Sequence, residues 1–165
     1  MYDKQINDLS NQVIDIFKQN KIKLITIESC TGGMLSSYLT NISGSSSVLE
    51  GGFVTYSNEM KIHSVGVDKD ILQKFGAVSV ETAQAMADGG LKLFSKDHVA
   101  ISITGIAGPE GGTPQKPVGT VCFGLASTRL KTITKKMQFR GDRNQIRQQA
   151  VKFSLELLLN KNLCP

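Results

Sequence analysis

Within six consecutive residues, Glu28-Ser29-Cys30-Thr31-Gly32-Gly33, two hydroxyls and a thiol stand together just ahead of two glycines. The apolar, β-branched run before them, residues 24–27, reads as a buried strand, and residues 32–40 read as a helix. A nucleophile at the end of a strand, next to the free amides of a helix N-terminus, suits acyl transfer, because such amides can hold an anion or an oxyanion. Ser29 and Cys30 are both candidate nucleophiles. The same residues also read as a helix cap with a tight turn.

A serine nucleophile needs a base. The chain has two histidines. His98 opens a strand within a charged patch and reads as a surface residue, and His63 falls in a short helix after Tyr56. Neither completes a persuasive Ser-His-Asp order. Lysine is the other option, since serine–lysine pairs are a variant of the triad logic. Lys61 lies one turn into the helix that follows the TYS strand end, a position that also fits an ordinary solvated lysine.

Two further segments can hold an anion. Residues 105–117, GIAGPEGGTPQKP, contain four glycines and three prolines. They propagate neither helix nor central strand, but they offer unobstructed backbone N–H groups of the kind that cradle phosphate, or simply form turns. The Walker GxxxxGK[ST] pattern is absent, which argues against an ATPase. Arg140, Arg143 and Arg147 cluster at the start of the last helix, with Arg143 and Arg147 one turn apart on one face. Guanidinium groups there suit phosphate, and equally a solvated basic end. No His or Cys pair has ligand spacing and no acidic cluster appears, so no metal and no cofactor are expected. No DNA-binding motif appears and the basic residues are scattered, so no nucleic acid is expected either.

The surrounding pattern supplies the elements that must position these groups. Ile6, Leu9, Val13, Ile16 and Phe17 recur at helical spacing over residues 3–20. Residues 51–57 read as a strand ending at a cap, Ser57, ahead of a short helix. Residues 70–76 read as another short helix with Gly76 as its stop, and Ser79 caps a long helix to about Phe94. Gly89 and Gly90 inside that helix suggest close packing. Residues 98–104 are a central strand. Residues 118–127 and 131–139 form a hairpin whose second strand alternates and lies at an edge. Asp142 caps the last helix with Gln145 in the reciprocal position, and Ile146, Ala150, Phe153 and Leu157 line its inner face.

Helices alternating with apolar strands predict an α/β fold, a three-layer α/β/α sandwich with a mixed, mostly parallel sheet. Sites in such sheets lie at the carboxyl ends of strands, where ESCTGG, TYSNEMK and TGIAGPEGGT all fall. The length, 165 residues, suits one domain, read as spanning 1–165. Forty per cent hydrophobic content with 20% charge excludes a disordered tail. No apolar run approaches the ~18 residues of a membrane helix, and the polar start is no secretory signal. Three separated cysteines, Cys30, Cys122 and Cys164, argue against a disulfide scaffold and for a reducing cytoplasm. The net charge of +5 suits an anionic small molecule, though solubility alone accounts for it.

ESCTGG, GGFVTYSNEMK, TGIAGPEGGTPQKPVGTV and the F-x-GDR-x-x-x-R segment together resemble the nicotinamide-nucleotide amidohydrolase family, also known as the carboxy-terminal domain of the competence-damage protein CinA. The likeness covers nearly the whole chain and is closest to the stand-alone form, without the amino-terminal domain of the longer proteins. It implies hydrolysis of nicotinamide mononucleotide to nicotinic acid mononucleotide and ammonia, in pyridine-nucleotide (NAD) recycling, by a serine–lysine mechanism. Carried onto this chain, Ser29 is the nucleophile and Lys61 the base, with Tyr56 assisting. Amides at Thr31, Gly32 and Gly33 hold the oxyanion, and Thr104 lines the base-binding end. The glycine loop (Gly105, Gly108, Gly111, Gly112) with Arg140 and Arg143 forms the phosphate end. The expected partner is the nucleotide substrate, with a homo-oligomer and no membrane. The alternative is a nucleotide-binding or regulatory module without catalysis.

Overall fold

The computed structural model describes residues 2–94 and 97–163. Five strands, β1 (Lys23–Glu28), β2 (Leu49–Val54), β3 (His98–Gly105), β4 (Thr120–Ser127) and β5 (Ile133–Gln138), form one sheet in the order β2-β1-β3-β4-β5. β1 pairs in parallel with β2 and β3, and β4 is antiparallel to both β3 and β5. Four strands therefore run one way and β4 alone runs back, as a hairpin grafted on a parallel core requires.

Helices cover both faces. α1 (Tyr2–Gln19), α2 (Met34–Thr40) and α6 (Arg143–Leu158) share one hydrophobic cluster, and α3 (Asn58–Val65), α4 (Lys69–Phe75) and α5 (Val80–Lys92) share another. Strand alternation divides the side chains between them. Val99, Ile101, Ile103, Val121, Phe123 and Leu125 meet the first cluster, while Ile25, Ile27, Ala100 and Ala126 meet the second. The second face is built of smaller groups so that α5 can come close. Ser102 Oγ donates to the Ala83 carbonyl at 2.6 Å, and a Cβ on Gly124 would lie 2.4 Å from that same oxygen. The expected close packing of α5 is present at its far end too, where a Cβ on Gly89 would meet the Val65 carbonyl oxygen at 1.8 Å.

The local start and stop signals act as the sequence predicts. Ser57, Ser79 and Asp142 each accept an amide of the following turn, and Gln145 completes the capping box at α6. Three expectations need correction. The helix expected from Gly32 starts at Met34, because the two glycines take left-handed φ values of +58° and +98° in the turn. β2 ends at Val54, leaving Thr55 and Tyr56 outside the strand. The buried face of α6 is Ile146, Ala150, Val151, Ser154, Leu155 and Leu158, with Phe153 and Leu157 only flanking it. Cys30 and Cys122 are free and buried, and Cys164 lies outside the described residues. No described helix is long and apolar enough to cross a membrane.

Candidate active site

The carboxyl ends of β1, β2 and β3 carry the site. After Glu28 the chain leaves the sheet, with the Ser29 amide still donating to the Ile103 carbonyl at 2.9 Å. Glu28, 1% exposed, folds its carboxylate over the start of α2. It accepts from the amides of Gly33 (3.1 Å), Leu35 (3.1 Å) and Ser36 (2.9 Å) and from the Ser36 hydroxyl (3.1 Å). This carboxylate satisfies the helix N-terminus and matches its dipole.

Arg147 of α6 secures the turn from the other side. Its Nε donates to the Cys30 carbonyl at 3.1 Å and its Nη2 to the Thr31 carbonyl at 3.0 Å. These are charge-assisted contacts across 117 and 116 residues of sequence.

Between these fixtures stands Ser29, 7% exposed, with Lys61 Nζ 3.2 Å from its Oγ. Lys61 comes from the first turns of α3, held in place by the Ser57 cap. The solvated position that sequence allowed is not where it lies: it is 1% exposed. Its Nζ also donates to the carbonyls of Thr55 (3.0 Å) and Tyr56 (3.5 Å). No carboxylate among the described residues contacts it, and burial lowers its pKa from the usual lysine value, with Cys30 acting the other way. A neutral amine has two N–H groups and one lone pair. Two carbonyls can take the N–H groups, and the lone pair is left to receive the Ser29 proton.

The neighbouring thiol is in a different condition. Burial pushes Cys30 up to about 12, a value its own amide and the Arg147 and Arg143 charges only partly offset. At neutral pH it stays a thiol, a poor nucleophile.

Ser29, Cys30, Lys61 and Thr104 open on a cavity of about 210 Å³, walled by Ala77 and Val78 and by Gly105 and Ala107. Thr104 Oγ1 donates to the Ala77 carbonyl at 2.6 Å and so fixes that wall. At the mouth, Arg143 donates through Nη1 to the Gly108 carbonyl (2.8 Å) and through Nη2 to Tyr56 Oη (3.1 Å). Tyr56 is 58% exposed. The guanidinium has five N–H donors in all, so three remain for a ligand.

The structure thus brings Ser29, Lys61, Tyr56, Thr104, Gly105, Gly108 and Arg143 together. It does not bring all the expected residues. The Gly32 amide donates to the Ser29 carbonyl at 3.1 Å and the Gly33 amide to Glu28, so both are already engaged. Thr31 is wholly buried and does not line the cavity. Gly111 and Gly112 lie in the exposed tip of the loop, and Arg140 is exposed away from the cavity, its carbonyl accepting from Gln149 at 2.7 Å. His98 is not a surface residue: it is buried at the opposite, amino end of β3, pairs with Glu50 at 3.1 Å and stacks on Phe94. His63 is exposed and pairs with Glu59. Sequence reasoning missed Glu28 and Asn58, the latter lining the cavity, and left Arg147 among solvated or phosphate-binding arginines. The Glu28 signal was present, a carboxylate five residues ahead of a helix amide it could reach.

Comparison with known proteins agrees with this architecture. The family model of the CinA C-terminal domain matches residues 6–162. The nicotinamide-nucleotide amidohydrolase PncC of Escherichia coli (strain K12) is 46% identical over 158 residues, 96% of this chain and 95% of that protein. A CinA-like protein of Kosmotoga olearia is 47% identical over 150 residues, 91% of this chain but 36% of that longer protein. Among solved structures, the competence/damage inducible protein CihA from Agrobacterium tumefaciens superposes with a TM-score of 0.91 at 40% identity, covering 94% of each chain. Four ordered motifs, a shared sheet and near-complete coverage place the chain in one family, and it belongs to the CinA C-terminal domain family.

Proposed function

We propose that the chain hydrolyses the carboxamide of nicotinamide mononucleotide, giving nicotinic acid mononucleotide and ammonia for pyridine-nucleotide recycling. The observation that carries this reading is the buried, carboxylate-free Lys61 amine 3.2 Å from Ser29 Oγ. Relatives that align over nearly the full chain and bear the name nicotinamide-nucleotide amidohydrolase supply the substrate class.

Neutral Lys61 takes the Ser29 proton as Oγ attacks the carboxamide carbon. The carbonyl oxygen becomes an oxyanion, and the Cys30 amide, which has no acceptor beyond its own sulfur among the described residues, is the backbone donor beside Ser29 left to receive it. Protonated Lys61 then gives its proton to the departing nitrogen, and ammonia leaves an acyl-Ser29 ester. Water, deprotonated by the same amine, releases the carboxylate and restores the serine. Tyr56 and Arg143, with the Gly105–Gly108 part of the loop (residues 105–108), receive the ribose phosphate at the mouth. Every proton in this cycle moves between Ser29, Lys61, substrate and water.

The direct test is ammonia release when purified protein is incubated with nicotinamide mononucleotide. Stoichiometric ammonia and nicotinic acid mononucleotide are expected; binding without turnover would favour a nucleotide-binding module instead.

A further inference from the structure

Arg147 does not line the cavity, yet it is the only described cation that grips the nucleophile turn. Its Nη2 donates to the Thr31 carbonyl at 3.0 Å. That carbonyl belongs to the same peptide as the Gly32 amide, and in a trans peptide the two point in opposite directions. The Gly32 amide donates in turn to the Ser29 carbonyl at 3.1 Å. The Ser29 carbonyl belongs to the same peptide as the Cys30 amide, the donor next to the nucleophile. One guanidinium charge is therefore connected through two peptide units to a single N–H at the cavity wall.

Hydrogen-bonded peptides in series polarise one another, so a cation at one end makes the N–H at the other end a stronger donor. The same chain of bonds fixes the direction of that N–H before substrate arrives, the condition under which an oxyanion donor is effective. The second contact, Nε to the Cys30 carbonyl, anchors the next peptide and keeps the turn from rotating as a unit. The left-handed φ of +58° at Gly32 lets the turn bend back on itself, and a side chain there would be strained.

We infer that Arg147 is a positioning residue for the amide hydrolysis, orienting and polarising the Cys30 N–H that receives the developing oxyanion. The inference rests on the proposed function. It concerns charge that exists only in the transition state, so its loss should appear in kcat and not in substrate binding.

The experiment compares wild type, Arg147→Ala and Arg147→Lys with nicotinamide mononucleotide, and measures binding of the same compound by calorimetry in Ser29→Ala and Ser29→Ala/Arg147→Ala proteins. One oxyanion donor is typically worth about 100- to 1,000-fold, so weakening it should lower kcat about 10- to 100-fold in Arg147→Ala. KM, and the calorimetric Kd in the Ser29→Ala background, should change less than about threefold. Lysine can serve one carbonyl, so Arg147→Lys should fall between wild type and alanine. The lowered pKa of Lys61 arises from its burial, with Cys30 opposing it and Arg147 contributing nothing, so the pH at which activity rises should be the same in Arg147→Lys as in wild type. A collapsed turn would move both that pH and the Kd, and would overturn the inference, as would either variant keeping full kcat. If Arg147→Ala does not fold, the lysine variant decides on the same criteria. A wild type that binds but releases no ammonia would sink the amidase reading and this inference with it. An active wild type with an indifferent Arg147 would sink the inference alone.

Discussion

The floor of the site and its mouth are built on opposite plans. At the floor, Ser29 and Lys61 are 7% and 1% exposed and held by backbone carbonyls, one of them in β3, and by a capped helix. At the mouth, Tyr56 is 58% exposed and Arg143 bridges it to a loop carbonyl with donors to spare. Burial is what lowers the lysine pKa, so for the proposed cycle the floor must exclude water to have a base at all. The mouth has no such need. In the proposed function it exchanges a charged ligand with solvent, and exposed guanidinium and phenol groups do that at small desolvation cost. Chemistry and recognition are thereby separated along one short axis.

The sharpest way to test that division is at its floor. Ser29→Ala should reduce kcat by several orders of magnitude, about 10⁴-fold or more, while calorimetric binding of nicotinamide mononucleotide stays close to wild type. Next in size, Lys61→Ala and Lys61→Arg should both lose more than about 100-fold in kcat, since arginine keeps its charge and cannot take a proton. Activity of the wild type should rise with pH through an apparent pKa below 10.5, the ordinary lysine value, because only the neutral amine is competent. A Lys61→Arg enzyme with more than a tenth of wild-type kcat would remove the base from the floor.

The mouth should give smaller effects of another kind. Nicotinamide riboside, which lacks the phosphate, should fall by about 100-fold in kcat/KM, and Arg143→Ala should close most of that gap by impairing the mononucleotide alone. Equal rates for the two substrates in wild type would leave the mouth without a role in recognition. Smallest of all, Cys30→Ala should change kcat less than about tenfold, because a thiol with a pKa of about 12 supplies no thiolate at neutral pH. Its backbone amide, the part used in the proposed cycle, survives the substitution.

Much of this arrangement is legible in the chain because it is local. Ser57, Ser79, Gly76 and the Asp142–Gln145 box act within one helical turn, so their meaning does not depend on the rest of the fold. The alternation of β5 and the apolar run of β3 likewise fix edge and centre. The site residues at strand ends follow from the order of strands and helices. What the sequence conceals is set by long-range contact. Lys61 reads as solvated until β1 brings Ser29 beside it, 32 residues away. Arg147 reads as one of three clustered arginines until α6 packs beside the turn of Cys30. His98 reads as a surface residue because its partner, Glu50, lies on a strand not adjacent to its own. The Gly33 amide reads as free because nothing in the sequence says that Glu28 folds back over it.

The depth of Lys61 also carries a thermodynamic liability for the fold. An unfolded chain protonates this lysine up to its ordinary pKa of 10.5, whereas the native state disfavours the charge, so below that pH unfolding takes up a proton that folding had to release or bury. Stability should therefore rise as pH climbs from the lowered native pKa towards 10.5, the opposite trend to that of a salt-bridged lysine. Lys61→Met forgoes the bonds to the Thr55 and Tyr56 carbonyls but never titrates. Melting temperatures of the two proteins should thus diverge most in favour of methionine at low pH and converge towards 10.5. The enzyme would be working with a fold that its own base makes less stable, and inactivating it at this position should make it hardier.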